Sequence, residues 1–170
     1  MKKLHAYILI YLTLLICVIF DTPAYATPFK YSEKGCDFAV SFPRTPTVSN
    51  VSAGSLDVHE AELKIGLSLL RAVCLAASNR FADDNQLLKV TTQDYFVKNG
   101  MVNASVTVVS TDYGKRADGR GFKKINGVWT TYVTVWCVTR TSVLTLTVAT
   151  FSNQYPTTEI SAFINSIEAP

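Results

Sequence analysis

Hydrophobic and polar positions alternate through much of this chain, and that period of two predicts strands. From Cys36 the residues Phe38, Val40 and Phe42 share one face, with Asp37, Ala39 and Ser41 on the other. Pro43 and Pro46 end this strand, because proline donates no ladder hydrogen bond. A polar loop through Asn50, Ser52, Gly54 and Ser55 follows. Alternation returns from Val58 to Lys64, Gly66 marks a turn, and Leu67 to Ala77 is an apolar run expected to be buried on both faces. These two segments predict a hairpin.

The period then changes to that of a helix. Asp83 fits an N-cap with Asp84 in the first turn, and Leu87, Leu88, Thr91, Tyr95 and Phe96 recur at helical spacing. Asn99-Gly100 closes the helix. Val102 to Val109 is a β-branched strand, Asp112 to Gly121 reads as a charged loop, and Phe122 to Ile125 and Val128 to Thr139 read as strands around an Asn126-Gly127 turn. Val143 to Phe151 is a last strand. Thr157 or Thr158 then caps a short helix whose face carries Ile160, Phe163, Ile164 and Ile167. Runs of strands with separate helices predict an α+β fold, an antiparallel sheet flanked by helices.

The front of the chain follows another pattern. Lys2 and Lys3 precede an apolar stretch from Ile8 to Phe20, and Ala24-Tyr25-Ala26 gives a small-x-small site. Residues 1–26 therefore read as a secretory leader cleaved after Ala26, leaving 27–170 as one domain. The apolar stretch is shorter than the roughly 20 residues of a comfortable membrane span. Ile16 before Cys17 does not fit a lipoprotein signal. The short leader points to a bacterial periplasmic or secreted protein.

Charge adds little global direction. The chain has 16 Lys and Arg against 13 Asp and Glu, and its apolar share is raised by the leader. A near-balanced, exported domain gives no field that recruits nucleic acid.

Three cysteines remain beyond the leader: Cys36, Cys74 and Cys137. A disulfide suits an oxidising compartment, but spacing does not choose the pair. All three as buried thiols is the competing reading. None forms a redox or zinc-type pair, so no metal or cofactor is expected. His59 is the one histidine after the leader. Its pairing with Cys74 or Cys137 as a cysteine-dependent enzyme is a remote reading, because both cysteines sit in apolar strands. No catalytic residue is expected.

One local feature points to binding. Lys115, Arg116, Arg120, Lys123 and Lys124 fall close together, with Tyr113 and Phe122 interleaved and Asp118 the one acid among them. Such residues commonly protect a strand edge. They also suit an acidic protein partner or an anionic envelope component. Trp129 and Tyr132 have opposite parity in their strand, so a regular strand exposes one of them.

Several segments resemble PsbP/Mog-like domains of bacterial exported proteins. Cys36-Asp37-Phe38-Ala39-Val40-Ser41-Phe42-Pro43, with Pro46, is similar to their opening gly-phe-ser-val-x-phe-pro strand. Gly119-Arg120-Gly121-Phe122-Lys123 is similar to their gly-arg-glu-phe segment, and Phe163-Ile164-Asn165-Ser166-Ile167 to their closing phe-leu-x-ser-phe helix. Cys36 stands where the family usually has glycine, and Gly121 where it has an acid. The resemblance implies an α/β/α sandwich and a non-enzymatic scaffold. The expected role is thus an exported binding or accessory module for a protein or envelope partner. A periplasmic small-ligand carrier, with a pocket lined by Tyr95, Phe96 and Trp136, is the alternative.

Overall fold

The computed structural model describes residues 27–53, 55–77 and 85–169. The leader and the Asp83 cap lie outside these residues.

Two antiparallel meanders build the main sheet. The first runs β3 (Thr47–Ala53), β4 (Leu56–Ile65) and β5 (Ser68–Ala77). The second runs β6 (Val102–Thr111), β7 (Gly114–Ile125), β8 (Val128–Val138) and β9 (Ser142–Phe151). They join where β5 pairs with β9, giving the order β3-β4-β5-β9-β8-β7-β6. The expected turns appear at Gly66 and at Asn126-Gly127, where both central residues have positive φ, as a two-residue type I′ turn requires.

A two-stranded ribbon, β1 (Phe29–Ser32) with β2 (Ala39–Phe42), forms a second, small sheet. Its Phe38, Val40 and Phe42 share a core with Leu70, Ala72, Cys74, Val133, Val135, Leu144, Leu146 and Val148 of the large sheet. The short helix α2 (Thr158–Ile164) adds Ile160 and Phe163 to that core. Thr157 caps it, its hydroxyl accepting from Ile160 N at 3.2 Å. A backbone bridge between Ala39 and Glu168 ties the end of the described chain to β2.

The disulfide Cys36–Cys74 connects the turn between β1 and β2 to the middle of β5. It fastens the ribbon to the sheet at the point where a bare turn would otherwise leave it. Asp37 adds a second tie. Its carboxylate accepts from the hydroxyls of Thr139 and Thr141 in the β8–β9 turn. Its N–H donates to Ser142 Oγ at 3.0 Å. Burial alone would raise the Asp37 pKa, but the Thr139, Thr141 and Ser142 hydroxyls outweigh it and hold the carboxyl below its ordinary value of 3.8. A lowered folded value means that this stability is fully present above the unfolded value and disappears as pH falls through the folded one. Asp37→Asn is therefore expected to be less stable than wild type at neutral pH, with the gap closing as pH falls below 3.8. Urea titrations at several pH values check this, and a gap that stays constant contradicts it.

On the opposite face lies one helix, α1 (Asn85–Lys98). It buries Leu88, Thr92 and Phe96 over the β6–β7 end of the sheet. Leu87, expected on its inner face, is exposed. The helix closes as the sequence predicts: Gly100 N donates to Val97 O and Met101 N to Phe96 O, with Gly100 at φ 67°.

The expected helix-flanked α/β/α sandwich is overturned. Of the described residues 58% are strand and 18% helix, and the chain is mostly β. One face carries a β-ribbon with a seven-residue helix, and α1 packs over one end of the other. Besides β1, which the sequence pattern did not mark, two segments account for the difference. Thr47–Ala53, which contains Asn50 and Ser52 of the expected polar loop, pairs residue for residue with β4 as an edge strand. Asp112–Gly121, read as a charged loop, lies mostly within β7. There, alternate positions Ala117, Gly119 and Gly121 are buried against α1, while Arg116, Asp118 and Arg120 point the other way.

Candidate functional site

The basic cluster sits on β7, and its pleat divides it. Directly paired residues on neighbouring strands share a face. Lys115 pairs with Val138, Ala117 with Trp136 and Lys123 with Thr130, so Lys115 and Lys123 lie on the α1 side. Arg116 pairs with Cys137, Arg120 with Val133 and Lys124 with Trp129, on the opposite side. The structure thus gathers Arg116, Arg120, Lys124 and Trp129 on one face and sends Lys115 and Lys123 to the other.

The five cations are engaged in different ways. Lys115 Nζ donates to Ser110 Oγ at 3.0 Å. Lys123 Nζ donates to Asn99 O at 2.8 Å, placing a cation at the C-terminus of α1, where the helix dipole favours it. Arg116 is spent on its own strand: Nε and a terminal nitrogen donate to the Asp118 carboxylate at 2.8–3.1 Å.

Arg120 differs. Its guanidinium lies 5.0 Å from the Phe122 ring centroid and 4.8 Å from that of Tyr155. Phe122 is two residues along the same strand and therefore on the same face. Tyr155 arrives from the segment between β9 and α2. Among the described residues Arg120 forms no ion pair. Two rings hold an exposed cation in place and leave its N–H edge without a carboxylate. Such a group is preorganised for a carboxylate or phosphate. Lys124 and Trp129 stand as a cross-strand pair farther along the same face, both exposed. Tyr155 is the member of this site that sequence reasoning missed. It follows the last strand by four residues, and nothing in its spacing signals a contact with β7.

The other candidate residues have structural positions. Cys36 and Cys74 are bonded to each other, and Cys137 is a buried free thiol. His59 is the direct cross-strand neighbour of Cys74 and meets Asn50 Oδ1 through Nδ1 at 3.2 Å. The Cys74 sulfur is committed to the disulfide, so that pair offers no thiolate. Burial pushes the Cys137 thiol above its ordinary pKa, with the Tyr113 hydroxyl 3.6 Å away. A raised thiol pKa opposes the nucleophilic form. Among the described residues no group of three His, Cys, Asp or Glu side chains is placed to hold a metal ion. No described helix is long and apolar enough to cross a membrane.

The ligand pocket expected around Tyr95, Phe96 and Trp136 is filled at its centre. Phe96 is fully buried against Gly119 and Gly121, and a Cβ at those glycines would sit 2.5 and 2.8 Å from its ring. Tyr95 and Trp136 meet edge to face at 6.4 Å beside it.

No family model matches the chain, and no curated protein matches it. A solved crystal structure from Bacteroides thetaiotaomicron VPI-5482 is similar over 83% of this chain and 48% of its own, at 12% identity and a TM-score of 0.53. The chain spans about half the length of that neighbour. A likeness at this identity is one of fold alone.

Proposed function

We propose that this chain is an exported, non-enzymatic binding module that engages an anionic protein or envelope partner through the face bearing Arg120, Phe122, Lys124, Trp129 and Tyr155. The observation that carries this reading is the Arg120 guanidinium seated against the Phe122 and Tyr155 rings with no acidic partner among the described residues. A structural arginine is commonly bonded to a carboxylate, as Arg116 is four residues earlier. Holding a cation exposed between rings costs side-chain freedom in advance of binding and lowers what remains to be lost when a partner arrives.

Three further points support the reading. The leader pattern of residues 1–26 fits export to the periplasm or beyond. The Cys36–Cys74 disulfide suits an oxidising compartment. The resemblance to PsbP/Mog-like domains, carried by the Gly119–Lys123 segment that includes Arg120, points to a scaffold role and belongs to the same proposal. The sandwich architecture attached to that resemblance is not carried over.

The test is retention of the purified protein on washed envelope membranes. Arg120→Ala is expected to reduce retention about five- to tenfold at low salt, the range of one charge-assisted contact, and to leave the melting curve close to wild type. Added salt is expected to weaken the wild-type interaction, because exposed charges are screened. Unchanged retention of Arg120→Ala contradicts the reading.

A further inference from the structure

The hairpin that joins β7 to β8 projects beyond the sheet. β6 begins its pairing with β7 at Val102 opposite Phe122, and β9 ends its pairing with β8 at Phe151 opposite Thr130. Residues 124–129 therefore extend past both neighbouring strands and pair with each other alone, closed by the Asn126-Gly127 turn.

The composition of this finger is unusual for a protein surface. Its apolar members are exposed: Ile125 by 39%, Val128 by 44% and Trp129 by 50%. Its charged member is Lys124, Lys123 directly precedes it, and it has no acid. Val102, 47% exposed, lies beside it at the start of β6. Val97, 71% exposed, belongs to the last turn of α1, which Lys123 reaches through Asn99 O. One end of the molecule thus presents exposed apolar side chains next to the lysines, and Arg120 follows on the Trp129 face.

We propose that this end docks on an anionic phospholipid surface, with Trp129, Val128 and Ile125 entering the headgroup region and Lys124 and Arg120 facing the phosphates. It deepens the binding-module reading above and rests on it. The chemistry of the finger decides for lipid over a folded partner. Tryptophan settles at a membrane interface because it has a large apolar ring and one N–H. Flanking lysines are attracted to anionic headgroups. Small apolar side chains at the tip of a turn gain from leaving water without requiring a shaped pocket. A hairpin tip is narrow and convex, whereas standard protein interfaces bury about 800 Å² on each partner.

The test uses the protein without its leader and vesicles of phosphatidylcholine, with and without phosphatidylglycerol. Trp136→Phe leaves Trp129 as the sole tryptophan. Its emission is expected to shift to the blue and to be quenched by lipids brominated on the acyl chain, with anionic vesicles and not with zwitterionic ones. Lys124→Glu is expected to cut partition about tenfold, since it replaces an attracted cation by a repelled anion near an anionic surface. Trp129→Ala, at an exposed site, is expected to cut it similarly while its circular dichroism matches wild type. Absence of vesicle binding at low salt overturns the proposal, as does binding that survives both variants. A photo-crosslinker at position 129 that captures an envelope protein in place of lipid also overturns it. If vesicles fail while envelope membranes still retain the protein in an Arg120-dependent way, the lipid assignment falls and the binding module stands. Failure on both surfaces removes both.

Discussion

Replacing Cys36 and Cys74 together with serine is expected to lower the stability of the folded domain by about 4 kcal/mol. The bond joins residues 38 apart in sequence, and in the chain-entropy account a loop of that size constrains the unfolded chain by about this amount. The native state loses as well, because the bond holds the β1–β2 ribbon on the large sheet. Phe38, Val40 and Phe42 reach the core from that ribbon and its entry. Urea unfolding of wild type and the double variant measures the effect, and reduction of wild type should reproduce it. A loss below about 1 kcal/mol would show that ribbon packing alone fixes the layer.

The other large effect concerns two glycines whose value lies in the absence of a side chain. Phe96 of α1 occupies the space over Gly119 and Gly121, and a Cβ built at Gly119 would lie 2.5 Å from Phe96 Cε2. Gly119→Val is expected to destabilise the domain by about 3 kcal/mol, the upper part of the usual range for overpacking. Phe96→Ala, which empties the same space, is expected to cost about 4 kcal/mol. The two changes share one volume, so together they should cost less than their sum by at least about 1 kcal/mol. Strict additivity would contradict the packing described. Arg120 lies between these two glycines and points to the other face, so Gly119→Val should also weaken envelope retention, by disturbing the strand that presents it.

Elements whose pattern was set by local chemistry were legible in the sequence. The β4–β5 hairpin, the closure of α1 at Gly100, the turn at Asn126-Gly127 and a threonine cap, left between Thr157 and Thr158, each depend on residues adjacent in the chain. Parity put Trp129 and Tyr132 on opposite faces without choosing the exposed one, and Trp129 is exposed because it lies beyond the last residue that pairs with β9. What misled was polarity. Thr47–Ala53 is an edge strand and tolerates Ser49, Asn50 and Ser52 because much of its surface meets water. In β7 the apolar face is made of Ala117, Gly119 and Gly121, which carry almost no hydrophobic signal although they are buried. Phe96, distant in sequence, provides the bulk they lack. With Asp112–Gly121 read as a loop, the basic residues in and after it looked like one patch. As a strand, it sends Lys115 and Lys123 to one side and Arg116, Arg120 and Lys124 to the other. The Cys36–Cys74 pairing was equally beyond the sequence, because it depends on how the ribbon crosses β5.

The pleat of β7 divides its charges between two faces, and that division decides which cations a partner meets. Its most direct test compares Arg120→Glu with Lys115→Glu for retention on envelope membranes at low salt. Both reverse one basic residue on the same strand and change net charge equally, but they do so on opposite faces. The expected result is a loss of tenfold or more for Arg120→Glu, the scale of a charge-assisted contact turned repulsive, and near-wild-type retention for Lys115→Glu. Equal losses from both would show that the partner responds to overall charge, and would contradict a site confined to the Arg120 face.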